Sequence, residues 1–254
     1  MTQKALLEEY LGQLKLPTFA QNYEQYAQDA SRGDSTHEQY LLALCEAEIA
    51  QRKVNRIERA IAAAKFPVIK DVSTFDFHPV GGISKARVLD LAQGGYREKA
   101  ETIIVIGNPG LGKTHVATGL GMAACRQGRR VRFYGAASVV NELLVAQKEL
   151  RLTRMLAQLR KLEVLILDEL GFIPFSKDGA HLLFQLCSDL YERVAIIVTT
   201  NLRFADWNSI FGEERMTAAL LDRLTHRAHV LEFLGESYRF RQRLQQDEQE
   251  KREG

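Results

Sequence analysis

The stretch that decides the fold is "GNPGLGKT", residues 107–114. It matches the pattern G-x-x-x-x-G-K-[ST] without deviation, and an apolar run, "TIIVI" at 102–106, directly precedes it. Glycines at these positions let backbone N–H groups point inward at a phosphate, and the positive end of a following helix adds to the attraction. The sequence therefore predicts a phosphate-binding loop between a buried strand and a helix.

The last residues of this loop are suited to a nucleoside triphosphate and its Mg²⁺ ion. Lys113 supplies a charge for the β- and γ-phosphates, and the Thr114 hydroxyl is a ligand that Mg²⁺ accepts. The loop residues expected to contact the nucleotide are Gly107, Asn108, Pro109, Gly110, Leu111, Gly112, Lys113 and Thr114.

A pair of acids follows a second apolar run, "VLILDE" at 164–169. Ligands of open α/β sheets bind at the carboxyl ends of the strands. We therefore expect Asp168 to contact Mg²⁺ through water and Glu169 to polarise an attacking water molecule. A solvated strand end is the alternative interpretation.

A third apolar run ends in polar residues, "IIVTTN" at 196–201. Asn201, or failing that Thr200, is predicted to contact the γ-phosphate or to orient the water. Both residue types also cap helices well, so an N-cap for the next helix remains an alternative.

Three regions differ in pattern. Residues 1–66 show helical apolar spacing and predict a helical N-terminal domain, with a helix from about residue 36 that stops before Pro67. Residues 67–101 contain two prolines and two Gly-Gly pairs and predict a connector. From 102 to 254 apolar strands alternate with helices, which is typical of a parallel sheet covered on both faces.

The connector contains "STFDFHPV", residues 73–80. Phe75 and Phe77 are candidates for the apolar slot that takes an adenine base. They could equally anchor the connector to the sheet, and both interpretations stay open.

Composition is that of an ordinary globular chain, with 46% hydrophobic and 26% charged residues and a net charge of +2. The three cysteines, Cys45, Cys125 and Cys187, are far apart and predict free thiols rather than disulfides or a metal site. The amphipathic N-terminus does not resemble a signal peptide, and no apolar run approaches about 18 residues. We therefore expect a cytoplasmic protein with no membrane partner.

Basic residues cluster near the end of the helical region. Arg52, Arg56 and Arg59 follow i, i+4, i+7 spacing on one helix face, and Lys53 is adjacent. Such a face suits contacts with DNA phosphates that depend little on base sequence. An ordinary solvated helix face is an equally open interpretation.

The order of a phosphate-binding loop, an "LILDE" strand at 165–169 and a "TTN" strand end at 199–201 resembles the AAA+ branch of P-loop ATPases. The resemblance implies ATP as the nucleotide. It also implies a parallel five-stranded sheet in which the Asn201 strand lies between the Asp168 strand and the strand of the loop.

The same resemblance implies roles for two arginines. Arg223, in "DRL" at 222–224, would be an arginine finger that acts on a neighbouring subunit. Arg239, at the end of "GESYR" (235–239), would be a second sensor of the phosphates. The alternatives are an ion pair of Arg223 on its own helix and a solvated charge at Arg239.

A more specific resemblance is to the IstB-type ATPases that assist transposition of insertion sequences. "DELGFIPF" at 168–175 and "DRLTHRAHVLEF" at 222–233 carry it, as does His115 directly after Thr114, which we therefore count with the nucleotide-binding residues. The likeness covers nearly the whole chain. It implies ATP-dependent self-assembly on duplex DNA, a homo-oligomer with shared active sites, a transposase partner whose target choice it influences, and an AAA+ lid that is largely absent.

Other functions share these motifs. A replicative helicase loader of the DnaC type would have the same catalytic residues and a different partner, and adjacency to a transposase gene would argue against it. A small-molecule kinase would need a site for the molecule that accepts the phosphoryl group. Glu169 is better suited to activating water than to forming such a site. An inactive nucleotide switch would keep its turnover unchanged after Glu169→Gln.

Overall fold

The computed structural model describes residues 2–238. The chain divides between Arg59 and Ala60 into a helical amino-terminal unit and a larger α/β unit. This boundary lies inside one continuous helix rather than after residue 66, where the sequence pattern changes. Arg239, the predicted second sensor, lies outside the described residues.

The amino-terminal unit consists of helices α1 (Gln3–Gln13), α2 (Pro17–Arg32) and the larger part of α3 (His37–Ala64). Pro17 opens α2 at a position where a missing N–H costs no hydrogen bond. The buried Glu48 carboxylate on α3 accepts the Thr18 backbone N–H at 2.9 Å and Arg52 Nε at 2.7 Å. This pairing ties the start of α2 to the middle of α3, and the end of α3 at Ala64 confirms the predicted stop before Pro67.

The α/β unit contains five strands and the remaining helices of the described chain. The strands are β1 (Thr102–Gly107), β2 (Val131–Gly135), β3 (Val164–Leu170), β4 (Ala195–Thr200) and β5 (Ala228–Phe233). The helices are α4 (Lys85–Gln93), α5 (Gly95–Glu98), α6 (Lys113–Arg126), α7 (Ala136–Lys148), α8 (Leu152–Leu159), α9 (Lys177–Leu190), α10 (Asn208–Phe211) and α11 (Glu214–Thr225), with short 3-10 turns at Val72–Thr74 and Phe204–Asp206.

The strands form one sheet in the order β2-β3-β4-β1-β5, and all pairs are parallel. The acidic strand β3 is separated from β1 by β4, as the AAA+ resemblance implied. The predicted α/β fold with a five-stranded parallel sheet is therefore confirmed.

Two apolar core clusters cover the two faces of the sheet. On β1, Ile104 packs into one cluster, whereas Ile103 and Val105 pack into the other, and all three are fully buried. Because successive side chains of a strand point to opposite faces, a strand buried on both faces must be apolar throughout. This explains why the strands could be identified as continuous apolar runs.

Cys125 and Cys187 are buried and Cys45 is partly buried, and all three are free thiols, as predicted. Burial raises the pKa of the Cys125 thiol to about 11 and that of Cys187 to about 12. Among residues 2–238, no helix is both long enough and apolar enough to cross a membrane.

Candidate active site

The phosphate-binding loop connects β1 to α6 through backbone conformations that favour glycine. Gly112 has a φ of 88°, and a Cβ there would lie 2.5 Å from Cε2 of Phe75. Gly107 ends β1, and a Cβ there would lie 2.4 Å from the Phe233 carbonyl oxygen. Larger residues at either position would distort the loop. Helix α6 begins directly after it, so the positive end of the helix lies at the loop.

Three side chains behind the loop form a hydrogen-bond network. Thr114 Oγ1 donates to the Asp168 carboxylate, at 3.0 Å from Oδ1 and 3.1 Å from Oδ2. Thr199 Oγ1 donates to the same Oδ1 at 2.5 Å. Burial raises the pKa of Asp168, and the hydrogen bonds from Thr199 and Thr114 oppose the rise. The network brings together the two side chains that the sequence assigned to one metal ion.

A β-bulge near the end of β3 brings Asp168 and Glu169 to different parts of the site. The pairing passes from Leu167 to Leu170 on β3 while β4 advances by only two residues. Within the bulge Glu169 has a left-handed φ of 57°, and its backbone N–H donates to Thr199 Oγ1 at 2.9 Å. Bulges next to active sites re-aim side chains. As a result, Glu169 lines the cavity described next, while Asp168 contacts Thr114.

A cavity of about 680 Å³ lies over these groups. Its size is that of a small-molecule site. The predicted site residues that line it are Phe75, Pro109, Gly110, Leu111, Gly112, Lys113, Thr114, His115, Glu169 and Asn201. The wall that the structure describes does not include Gly107, Asn108, Phe77 or Asp168. The carbonyl oxygen of Asn108 instead accepts a hydrogen bond from Lys113 Nζ at 2.8 Å.

The connector is attached to both ends of α6. At the first turn, His115 Nε2 lies 2.9 Å from the Asp71 carbonyl oxygen and 3.2 Å from Thr74 Oγ1. The His115 ring also packs against Phe75, with 5.2 Å between the ring centroids. At the last turn, Arg126 pairs with the Asp71 carboxylate. The connector side of the cavity and the helix of the phosphate-binding loop are therefore held together.

Asp71 caps the 3-10 turn that follows it. Its Oδ1 accepts the Ser73 hydroxyl at 2.6 Å and the Ser73 backbone N–H at 2.8 Å. These hydrogen bonds, together with Arg126, lower the pKa of Asp71 to about 2.

Phe75 and Phe77 contact each other edge to face, with 4.7 Å between the ring centroids. Both pack against the same core cluster. Of the two, Phe75 also lines the cavity. The structure thus places Phe75 at both the core and the cavity, and Phe77 at the core.

Residues 9–246 match the family described as IstB-like ATP binding protein. The chain belongs to this family. One relative is named as an ATP-binding protein of insertion sequence IS5376 from Geobacillus stearothermophilus. It is 35% identical to this chain over 98% of this chain and 99% of its own length. Its counterpart in insertion sequence IS21 of Pseudomonas aeruginosa is 36% identical over 93% of this chain and 89% of its own.

The fold of this IstB-like chain is similar to the crystal structure of the DnaC helicase loader. The two superpose with a TM-score of 0.54 at 22% identity, over 69% of this chain and 99% of the loader chain. At that identity the likeness concerns the fold alone.

Arg223 of this IstB-like chain lies away from the cavity. It lines a shallow cleft together with Thr102, the first residue of β1. Its Nη1 donates to the Ala219 carbonyl oxygen at 2.7 Å, and its guanidinium carbon lies 5.1 Å from the centre of the Phe184 ring. No carboxylate within residues 2–238 forms an ion pair with Arg223, so its charge is not neutralised on its own helix.

The basic residues near the end of α3 differ in their surroundings. Arg52 pairs with the buried Glu48 and so takes part in the packing of the amino-terminal unit. Lys53, Arg56 and Arg59 are exposed, and no carboxylate in the described part of the chain pairs with them. The Arg52 side chain is itself 56% exposed, so all four residues remain candidates for phosphate contacts.

Sequence reasoning missed Thr199 and Asp71. In the "TTN" strand end, Asn201 and then Thr200 were predicted to contact the γ-phosphate or the water, and no role was predicted for Thr199, whose hydroxyl contacts Asp168. The Thr200 hydroxyl accepts the Leu202 backbone N–H at 3.1 Å instead. The pairing register of β4 against the bulged β3 determines which of the two threonines contacts Asp168. That register depends on two strands distant in sequence, so no local sequence pattern predicts it.

Proposed function

We propose that this IstB-like protein hydrolyses ATP, assembles on duplex DNA, and assists the transposase of its insertion sequence in target selection. The observation that carries the ATPase part is the contact of Thr114 with Asp168 behind the phosphate-binding loop, with Glu169 lining the same cavity. A phosphate loop, a metal ligand pair and a carboxylate base are the components that phosphoryl transfer to water requires.

The triphosphate of ATP would lie along the loop. Backbone N–H groups, the N-terminus of α6 and Lys113 are placed to stabilise its negative charge. Glu169 acts as the general base that polarises a water molecule for attack on the γ-phosphate, and Asn201 orients that water or contacts the phosphate. The products are ADP and inorganic phosphate.

The donor set behind the loop fits Mg²⁺. Thr114 and Asp168 present hydroxyl and carboxylate oxygens at hydrogen-bonding distance, and Mg²⁺ in phosphate sites is held by one or two carboxylates, substrate phosphates and waters. Within residues 2–238, no group of three or more His, Cys, Asp or Glu side chains is placed to hold a metal ion without a substrate. When bound, Mg²⁺ supplies neutralisation of the β- and γ-phosphate charge.

Arg223 completes the active site of a neighbouring subunit. It lies at the amino end of β1, whereas the loop follows the carboxyl end, so it does not line its own cavity. A guanidinium without a carboxylate partner is suited to the charge that develops on a transferred phosphoryl group. Head-to-tail contact between copies would bring this edge of one subunit to the cavity of the next.

Binding to DNA would use the exposed face of α3. Lys53, Arg56 and Arg59 offer positive charge and form no ion pair within residues 2–238. Contacts of this kind reach phosphates rather than base edges, so the binding would be sensitive to salt and tolerant of sequence.

The partner is inferred from the relatives. Full-length relatives at 35% and 36% identity are named for insertion sequences, which favours a transposase over a replicative helicase as the partner. The likeness to the helicase loader is one of fold.

Sizing the protein with ATP, with and without duplex DNA, tests the assembly. The wild type should form an oligomer with ATP and DNA, and Arg223→Ala should assemble less and lose turnover. Arg215→Ala, which removes an exposed arginine from the same helix, is the matched control and should behave as the wild type. A wild type that stays monomeric under all conditions contradicts the proposal.

Turnover tests the chemistry. Glu169→Gln should bind a non-hydrolysable ATP analogue as the wild type does and release phosphate about 100-fold more slowly or worse, because a general base contributes about 10²–10⁴-fold. Glu98→Gln, at an exposed position on α5, is the control. Unchanged turnover in Glu169→Gln would favour a nucleotide switch that acts without this base.

A further inference from the structure

We infer that Thr199 is a positioning residue for ATP hydrolysis, because its hydroxyl joins the Asp168 side chain to the Glu169 backbone. The inference rests on the proposed ATPase function and deepens it. According to this inference, Thr199 on strand β4 fixes the position of the catalytic base Glu169. Thr199 belongs neither to the phosphate-binding loop nor to the acidic pair Asp168 and Glu169.

The Thr199 hydroxyl has one proton, which it donates in a single hydrogen bond. Oγ1 donates to Asp168 Oδ1 at 2.5 Å and accepts the Glu169 backbone N–H at 2.9 Å. Thr199 is 1% exposed, so its hydroxyl is largely shielded from solvent. A hydroxyl that both donates and accepts is the smallest group that can serve these two partners together.

The bulge explains why such a group is needed. Because β3 has one residue more than β4 between Leu167 and Leu170, the extra residue is left out of the ladder. The N–H of Glu169 is then left without a partner in the ladder, and the Thr199 hydroxyl supplies the acceptor. The left-handed backbone of Glu169 is also unfavourable for a residue with a Cβ and persists only where its surroundings hold it. The hydrogen bond to Thr199 helps to keep the Glu169 backbone in this conformation.

The resulting chain of contacts runs from the phosphate-binding loop to the base. Thr114 donates to Asp168, Asp168 accepts from Thr199, and Thr199 accepts from the Glu169 backbone. The direction in which the Glu169 carboxylate points depends on its backbone. Without the hydroxyl, the bulge can relax and the carboxylate can shift, and a misplacement of about 1 Å can cost about 100-fold in rate.

The test compares three single variants of the full chain. Thr199→Val keeps a β-branched side chain of similar size and removes the hydroxyl. Thr199→Ser keeps the hydroxyl and removes the methyl group. Thr217→Val is the control, because Thr217 is also 1% exposed and its hydroxyl donates to the Glu213 carbonyl oxygen, away from the cavity. Phosphate release with ATP and duplex DNA gives kcat and KM, and binding of a non-hydrolysable ATP analogue is measured separately.

We expect kcat of Thr199→Val to fall at least about tenfold while KM and analogue affinity stay within about twofold of the wild type, because the loss concerns the transition state alone. Thr199→Ser should recover most of kcat, and Thr217→Val should keep it. A folded Thr199→Val with normal kcat overturns the inference. So does a parallel loss of kcat and analogue binding, which would indicate a structural role. A wild type that binds the analogue and releases no phosphate overturns the ATPase function itself, and the inference falls with it.

Discussion

Arg223 and Lys113 lie at opposite ends of strand β1. Arg223 shares a cleft with Thr102, where the strand begins, and Lys113 follows the loop that leaves the strand at Gly107. Six strand residues at about 3.3 Å each separate the two ends by roughly 20 Å. Arg223 therefore lies too far from the loop of its own chain to contact it, and the role proposed for Arg223 requires a second copy of the chain.

Mixing two inactive variants tests this arrangement. Lys113→Ala should lack nucleotide binding, and Arg223→Ala should bind ATP without hydrolysing it. In an equal mixture, turnover should rise above that of either variant and reach at most about a quarter of the wild-type value, because half of the subunits keep Lys113 and half of those face an intact Arg223 in a fully formed head-to-tail assembly. Each variant alone provides the control. If the mixture stays as inactive as its components, Arg223 does not act between subunits.

Substitutions of the two aromatic residues of the connector should affect different properties, nucleotide affinity for one and stability for the other. Phe75→Ala should weaken binding of an ATP analogue at least about fivefold, because stacking of a base on an aromatic ring contributes about 1–3 kcal/mol. Phe77→Ala should lower the free energy of unfolding by about 1–3 kcal/mol, as expected for a partly buried ring, with little effect on nucleotide affinity. Calorimetric titration and chemical denaturation of both variants measure the two quantities. Equal losses of affinity would place both rings at the nucleotide.

Asp71 should make stability depend on pH in the acid range. Its pKa is lowered from 3.8 to about 2 in the folded chain, so its contribution is complete above 3.8 and disappears as the pH falls toward 2. Asp71→Asn should lower the free energy of unfolding by about 1–2 kcal/mol at about pH 6, allowing for a side chain that is 26% exposed. The deficit should shrink as the pH approaches about 2.5. Asp206→Asn, at an exposed carboxyl, is the comparison, and a deficit that is constant with pH would contradict the assignment.

The basic residues of α3 should differ in what their removal changes. Arg56→Ala and Arg59→Ala should weaken duplex DNA binding for every sequence and reduce the slope of log K against log salt by about 1 each. Arg52→Ala should instead lower stability by about 1–2 kcal/mol, because it leaves the buried Glu48 carboxylate without its cation. Fluorescence anisotropy at several salt concentrations and thermal unfolding measure these effects. An unchanged salt slope in Arg56→Ala and Arg59→Ala would move the DNA contact elsewhere.

Much of the fold was predictable because its signals are local. Strands buried on both faces are apolar throughout, so β1, β3 and β4 could be identified as apolar runs and agree with the structure to within about two residues. The phosphate-binding loop combines glycines, a lysine and a threonine in one short pattern between a strand and a helix. The bulge in β3 has no such pattern, because it arises from pairing between strands about 30 residues apart in the chain.

Local sequence patterns predict the chemistry of this chain: which residues are suited to a triphosphate, which carboxylates follow the central strand, and which family the motifs resemble. Tertiary structure decided how those groups are connected. It selected Thr199 over Thr200 as the partner of Asp168, attached the connector to α6 through Asp71, and placed Arg223 at the far end of the sheet. The physical reason is that residue types and short spacings record what a side chain can do, whereas register, bulges and the meeting of distant segments depend on how the whole sheet pairs.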